Sequence, residues 1–241
     1  MSEKIKVKKE ENAIILDYLS RGYVKKSMSG FGGKPIAQAI GTEFFTFLEL
    51  APKKDIDLEI QERVYIGKGK RDKIYRVLGK LDQENLTATS RIELSYAIEE
   101  IVDINEEKYV EFFNTAGTIS WDLHGLGLLP GIGPKTVNVI LKERERKKFE
   151  SFEDIENRVS AIKDVRELII KRIKEELGLV ESQRKHKFYV FQAINKRYAT
   201  YFDKFYHNKL YSEWISIKRE IGYISDIQII KDEYKYISNL I

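Results

Sequence analysis

The residues that most clearly indicate a binding function are LPGIGPKT, at positions 129–136. Gly131 and Gly133 permit a tight hairpin with no Cβ beside its backbone amides. Pro134 suits the first position of a helix, and amides at a helix N-terminus make a ready phosphate site. Lys135 is a poor choice for the helix dipole alone, which prefers anions at this end. The pattern therefore predicts a hairpin that binds a phosphate.

This stretch resembles the helix-hairpin-helix motif, in which the hairpin amides hold a nucleic-acid backbone phosphate without reading bases. The resemblance places the contacts on five residues, namely Gly131, Ile132, Gly133, Lys135 and Thr136. The alternative is a hairpin that serves only packing or protein contacts.

Two further segments are basic within a chain whose net charge is only +4. Ser20–Lys34 contains cations, glycines and aromatics but no acidic residue, and Arg63–Arg76 holds six basic residues and one acid. Flexible cations with interleaved aromatics suit a phosphate backbone with stackable bases. The predicted binding residues are Arg21, Lys25 and Lys26 in the first segment and Lys68, Lys70 and Arg71 in the second. The alternative is two solvated hairpin loops. The GKGK sequence lacks P-loop spacing.

Alternating apolar residues and β-branched or aromatic runs indicate five strands before residue 82. The runs are Ile14–Leu19, Lys34–Thr42, Glu43–Pro52, Glu62–Lys68 and Asp72–Leu81. Five short strands in this length favour a small, partly open barrel of the OB type, with an SH3-like barrel as the alternative.

The later residues have helical spacing, from Ser90–Asn114 onward, and a helix is expected on each side of the hairpin. Residues 149–155 and 168–177 are similar to a second hairpin unit without glycines. We therefore expect an α+β multidomain chain. Its parts are a flexible N-terminus (1–11), an OB-like β-barrel (12–82), an all-α helix-hairpin-helix domain (83–180, hairpin 129–135) and an aromatic-rich helical extension (181–241).

Composition excludes several kinds of site. The 241 residues include no cysteine, so disulfides, thiolate metal sites and cysteine nucleophiles are ruled out. The three histidines (His124, His186 and His207) are scattered, and the acids of residues 91–116 are those expected of a solvated helix face. We expect no metal and no cofactor. The N-terminus has no apolar core of a signal peptide, which favours a cytoplasmic protein.

Four segments together resemble an archaeal family known as domain of unknown function 655. In order they are ERVYIGKGKRDKI, EFFNTAG, LLPGIGPK and KKFESFEDIENRV, and the resemblance covers about residues 12–190. It implies an OB-like barrel paired with a helix-hairpin-helix domain, and a family described as predicted RNA-binding. It implies no known activity.

These patterns support two candidate functions. The first is a non-catalytic nucleic-acid-binding protein, with RNA favoured over DNA and association with the ribosome or the transcription machinery as a further expectation. The second is an enzyme, because LPGIGPKTVNVIL also resembles the hairpin of base-excision DNA glycosylases, in which the lysine matching Lys135 attacks the sugar. The acid those enzymes need would fall on Glu153 or Asp154, but the Val-Asp-Thr-His context and the cluster cysteines are missing.

Overall fold

The computed structural model describes residues 9–23, 33–120, 123–181 and 190–191. It begins with five strands, each inside one of the predicted runs or within two residues of it. They are β1 (Asn12–Leu19), β2 (Ile36–Gly41), β3 (Phe47–Pro52), β4 (Arg63–Tyr65) and β5 (Ile74–Lys80). The strands form one antiparallel sheet in the order β4-β1-β2-β3-β5. This curled half-barrel, followed by helices, confirms the prediction of an α+β chain with an N-terminal barrel-like unit.

Helices make up most of the rest. They are α1 (Ala88–Ile104), α2 (Glu106–Thr115), α3 (Pro134–Arg146), α4 (Phe152–Arg158) and α5 (Val165–Glu176). Short 3-10 turns precede α1 at Gln83–Asn85 and α3 at Gly125–Leu128. No helix of these described residues is long and apolar enough to cross a membrane.

Two expectations about the helices were wrong in detail. The helical spacing of Ser90–Asn114 is divided between α1 and α2, because the chain turns at Asn105, whose side-chain amide donates to the Ile101 carbonyl at 2.7 Å. The segment before the hairpin contains a two-stranded ribbon, β6 (Thr118–Ser120) and β7 (Leu123–His124), and then a single 3-10 turn in place of an α-helix. The region is therefore not all-α.

Strand β1 is buried on both faces. One face packs inside the half-barrel and the other packs against the helices, so β1 connects the two parts of the structure. Ala13 and Ile15 lie in a cluster inside the half-barrel, whereas Ile14 and Leu16 lie in a larger cluster shared with the helices. Side chains alternate across a strand, so β1 reads as one continuous apolar run. The same larger cluster includes Phe191, whose ring lies edge-on to that of Tyr109 at a centroid distance of 5.2 Å.

A buried amide fixes the junction between sheet and helices. Gln38 of β2 is fully buried, and its Nε2 donates to the Tyr23 hydroxyl and to the Asn85 carbonyl, both at 2.9 Å. Its Oε1 accepts from the Thr87 backbone amide at 2.9 Å and from the Ser90 hydroxyl at 2.8 Å. Because Thr87 caps α1, Gln38 determines where that helix starts.

The acids of α1 and α2 are exposed or partly exposed, as expected of a solvated face, and some of them also contact other elements. Asp103 accepts from the Arg166 guanidinium of α5 at 2.9 Å, and Glu106 accepts from the Phe152 amide at 2.7 Å. Within the described ranges, no group of His, Cys, Asp and Glu side chains could hold a metal ion.

The β2–β3 turn depends on Glu10. Its carboxylate accepts from the backbone amides of Glu43, Phe44 and Thr46 at 2.9, 3.1 and 3.1 Å, and it is buried. Burial raises the pKa of Glu10 above its ordinary value, although these hydrogen bonds act to lower it. A Cβ on Gly41 would lie 2.0 Å from the Glu10 side chain, so glycine leaves room for the carboxylate.

We expect Glu10→Ala to lower the free energy of unfolding by about 2–3 kcal/mol, because it removes the shared acceptor of three part-buried backbone amides. Urea denaturation measures the change. Glu10→Gln should cost less, since its oxygen still accepts, and Glu11→Ala, at an exposed neighbour, should stay within about 0.5 kcal/mol of wild type. Equal effects at positions 10 and 11 would contradict this account.

Candidate nucleic-acid interface

The hairpin leaves the 3-10 turn and enters α3 through a left-handed glycine. Gly131 has a φ of 74°, a conformation that favours glycine, and it is exposed. The next residue, Ile132, is buried, and its amide donates to the Leu129 carbonyl at 3.3 Å. The hairpin is thus anchored by the buried side chains of Leu129 and Ile132 while its tip faces outward.

The N-terminus of α3 is open. Gly133 is its N-cap, and the Gly133 carbonyl accepts from the Val137 amide at 3.0 Å. Among the described residues, no acceptor is found for the backbone amides of Lys135 and Thr136, as expected of unpaired groups in a first helical turn. Lys135 is exposed.

The other helix starts are occupied by the chain itself. Thr87, Ser151 and Asp164 cap α1, α4 and α5 with their side chains, and α2 has acidic residues in its first turn. Of the five α-helices in the described part of the chain, α3 alone has neither a side-chain cap nor a first-turn acid. The missing negative charge is what a phosphate would supply.

Both hairpin glycines border open space. A Cβ built on Gly131 or Gly133 would meet nothing within 4 Å. Gly131 is explained by its positive φ, but Gly133 has a φ of −96°, which any residue adopts. Neither backbone conformation nor internal packing requires glycine at position 133.

A buried ion pair supports the hairpin from behind. Arg172 of α5 is 2% exposed, and its Nε donates to Glu176 at 2.8 Å. Its Nη1 donates to the Leu128 carbonyl, directly before the hairpin, at 3.2 Å. The Glu176 carboxylate also accepts from the amides of Val190 and Phe191 at 2.7 and 2.9 Å. This arrangement holds the approach to the hairpin and the 190–191 segment against one helix.

The exposed face of α3 extends the hairpin surface. Lys135, Val139, Lys142 and Arg146 are exposed and recur at three- to four-residue spacing, so they lie on one side of the helix. Arg144 points inward instead, donating to the Ala116 carbonyl at 2.8 Å. Sequence reasoning missed Lys142 and Arg146, although their spacing from Lys135 was the available signal.

Comparison with known proteins gives a family. The chain matches the family described as "Protein of unknown function (DUF655)" over residues 9–193. The chain belongs to the DUF655 family. It is 45% identical over 195 residues to the uncharacterized protein MJ0038 of Methanocaldococcus jannaschii, covering 80% of this chain and 85% of that protein.

Two other similarities accompany the DUF655 match. The crystal structure of Af1531 from Archaeoglobus fulgidus, also of this family, is 40% identical, with a TM-score of 0.63, and the match covers 76% of this chain and all of that one. A stretch of 94 residues, 39% of this chain, is 34% identical to DNA polymerase III subunit alpha of Buchnera aphidicola, and it corresponds to 8% of that protein.

The basic loop between β4 and β5 of this DUF655 protein divides its cations into two kinds. Lys68 and Lys70 are exposed. Arg71 is half-buried, and its Nε donates to the Gly67 carbonyl at 2.8 Å, so this side chain also braces the loop. The Gly69 amide donates to the Tyr65 hydroxyl at 3.0 Å, which further orders the loop.

The first basic segment is only partly described. Arg21 is exposed beside Gly22, whose φ is 66°. Lys25 and Lys26 lie outside the described residues. Burial raises the pKa of Tyr23 to about 12, so its hydroxyl stays protonated while accepting from Gln38. The segment therefore leaves the sheet at a fixed point.

His124 lies just before the hairpin in a neutral state. Its Nδ1 accepts from the Leu126 amide at 3.1 Å. Burial, with a smaller contribution from the charge of Arg144, lowers the pKa of His124 to about 4. The folded protein therefore takes up this proton at lower pH than the unfolded chain does.

We expect the free energy of unfolding to fall as the pH drops from about 6.5 to 4, because the unfolded state protonates this histidine first. The loss is as much as about 3 kcal/mol at the bottom of that window. Denaturation of wild type and His124→Asn across the window measures it, since asparagine keeps an acceptor for Leu126 but does not titrate. Parallel pH profiles for the two proteins would refute the assignment.

Proposed function

We propose that this protein binds nucleic acid through backbone phosphates, with the hairpin and the N-terminus of α3 as the principal contact. The observation that carries the proposal is the open helix start at Gly133, where the chain places no cap, no acid and no Cβ. A phosphate seated there accepts from the amides of Lys135 and Thr136 and meets the positive end of the helix dipole. The five predicted hairpin residues, Gly131, Ile132, Gly133, Lys135 and Thr136, form this site.

Cations on two surfaces would neutralise further phosphates. The exposed face of α3 contributes Lys142 and Arg146 beyond Lys135, and the half-barrel contributes Lys68 and Lys70. Arg21, Lys25 and Lys26 belong to the proposal as predicted contacts. Because none of these features reads base edges, the binding is weakly sequence-specific.

One of the similar proteins has a name that refers to nucleic acid. The partial match in Buchnera aphidicola is called a DNA polymerase subunit. The motif in residues 129–136 resembles a helix-hairpin-helix, and we propose that residues 125–146 act as one. RNA is the favoured ligand, and the ribosome or the transcription machinery the favoured setting.

We further propose that the protein is not an enzyme. Of the two acids that a glycosylase reading would use, Asp154 pairs with the Arg158 guanidinium at 3.0 Å and accepts from the Glu150 amide at 3.2 Å. Glu153 is exposed in the first turn of α4. Neither observation favours covalent chemistry at Lys135.

Gly133→Ser separates function from folding. Serine is a good N-cap, so the variant should be as stable as wild type or more stable by about 0.5 kcal/mol. Its hydroxyl would accept the amide that the phosphate needs, and nucleic-acid affinity should fall by about 1.5–3 kcal/mol, the cost of a charge-assisted hydrogen bond. Thermal denaturation and fluorescence anisotropy with labelled RNA and DNA measure the two quantities.

Gly117→Ser is the matched control, since Gly117 also borders open space but lies between α2 and β6, outside the hairpin and the half-barrel. It should leave affinity unchanged. The proposal fails if Gly133→Ser binds like wild type, or if wild type binds no RNA or DNA at low salt.

Lys135 gives the second test. If four to six phosphates are neutralised, log K falls with log[salt] at a slope of about −3 to −5. Lys135→Ala should make that slope shallower by about one, and Lys135→Arg should keep most of the affinity because only charge is needed.

A nucleophilic Lys135 behaves differently. Arginine cannot replace it, since the guanidinium stays protonated. Incubation with damaged duplex DNA and borohydride would then trap a covalent complex that both substitutions abolish. We expect no such complex, and a trapped adduct that requires Lys135 would replace the binding proposal with an enzymatic one.

A further inference from the structure

Tyr75 stands out on the surface of the half-barrel. It lies in β5 and its side chain is 68% exposed, more than any other large apolar residue that is exposed in the described ranges. Its neighbour Ile74 is 1% exposed and packs inside the half-barrel. The ring therefore contributes nothing evident to the core.

A β-bulge turns Tyr75 out of the sheet. In the antiparallel pairing of β3 with β5, Pro52 lies opposite Ile74 and Ala51 lies opposite Arg76, so Tyr75 has no partner on β3. An extra residue of this kind bends the strand and re-aims a side chain. Because β5 is at one edge of the described sheet, no neighbouring strand covers the ring.

The ring is surrounded in sequence by cations. Residues 63–80 contain seven basic residues and one acidic residue. Lys68 and Lys70 lie in the loop that leads into β5, and Lys73 immediately precedes that strand, where it pairs with Glu62. An exposed aromatic ring in a segment rich in exposed cations is typical of proteins that hold single-stranded nucleic acid, with bases stacked on rings and phosphates held by charge.

Protection of the sheet edge is a weaker explanation for Tyr75. A bulge and charged side chains already discourage pairing between edges. An exposed tyrosine adds apolar surface at that edge, which protection does not need.

We propose that Tyr75 is a stacking site for an unpaired base, and that the β5 edge with its preceding loop binds a single-stranded segment of RNA or DNA. The inference rests on the proposed nucleic-acid binding and makes it more specific. The hairpin would hold phosphates of any strand, whereas the β5 edge would require a base free to leave its stack. The full ligand would then carry an unpaired segment.

The test compares two probes of equal charge. One is a single-stranded oligonucleotide of about twelve nucleotides, and the other is the same strand with abasic residues, which keeps the phosphates and removes the bases. The proteins are full-length wild type, Tyr75→Ala, Tyr75→Phe and Tyr96→Ala. Tyr96 is the matched control because it is 62% exposed and lies on α1, away from the β4–β5 loop in sequence.

Wild type should bind the base-containing strand about tenfold more tightly than the abasic strand. Tyr75→Ala should remove that preference, with affinity for the abasic strand unchanged, and Tyr75→Phe should keep it because the ring remains. Tyr96→Ala should behave as wild type. Thermal denaturation of each variant confirms that folding is unaffected.

The stacking site is overturned if wild type binds both probes equally, or if Tyr75→Ala keeps the preference. It is also overturned if Tyr96→Ala loses the preference to the same extent. In each case a loss of binding in Gly133→Ser would leave the phosphate-binding proposal standing. If wild type binds neither probe nor any duplex, both proposals fail together.

Discussion

The buried amide of Gln38 is the interaction on which the arrangement of this protein depends. Both of its N–H groups donate and its oxygen accepts twice, so every strong hydrogen-bonding capacity of the side chain is used. The four partners come from the start of the first basic segment, the 3-10 turn after β5, the cap of α1 and the first turn of α1. A shorter or apolar side chain would leave several of them buried without partners, which is costly. Since α1 also packs directly on β1, this junction fixes the start of the first helix against the sheet.

The proposed interface combines a closed rear with an open front. Behind the hairpin, Ile132 is buried, Arg172 holds the Leu128 carbonyl, and neutral His124 holds the Leu126 amide. In front, the amides of α3 face open space without acceptors from the described chain. A rigid support lowers the entropic cost of binding a phosphate, because the donors are already aligned before the phosphate binds.

Much of the half-barrel could be predicted because its physics is local. β-branched and alternating residues mark strands wherever they pair, and five such runs appeared as five strands. The break at Asn105 could not be predicted, since the apolar spacing continues across it and only the packing of α1 and α2 favours two helices. The 3-10 turn before α3 could not be predicted either, because a glycine-rich stretch is compatible with several turn types.

In the candidate site too, local features could be predicted from the sequence, and features that depend on distant contacts could not. The turn into α3 could be predicted from residues 129–136 alone, because Gly131 meets a positive φ and Pro134 suits the first helical position. The different roles of Arg71, Arg144 and Arg146 were not evident, since whether an arginine turns inward depends on which carbonyls the fold brings near. The bulge at Tyr75 depends on the register between β3 and β5, and register is a property of two strands together.

The capture of residues 190–191 by Glu176 has an evolutionary consequence. The carboxylate accepts hydrogen bonds from two main-chain amides, and every amino acid except proline has such an amide. Mutations at these two positions that spare the main chain would therefore keep the hydrogen bonds. The side chains of Val190 and Phe191 are buried, and the Phe191 ring lies edge-on to those of Tyr109 and Phe112, so the core still requires apolar residues there. The hydrogen bonds to Glu176 therefore tolerate substitution at residues 190 and 191, whereas the packing of the two buried side chains limits it to apolar residues.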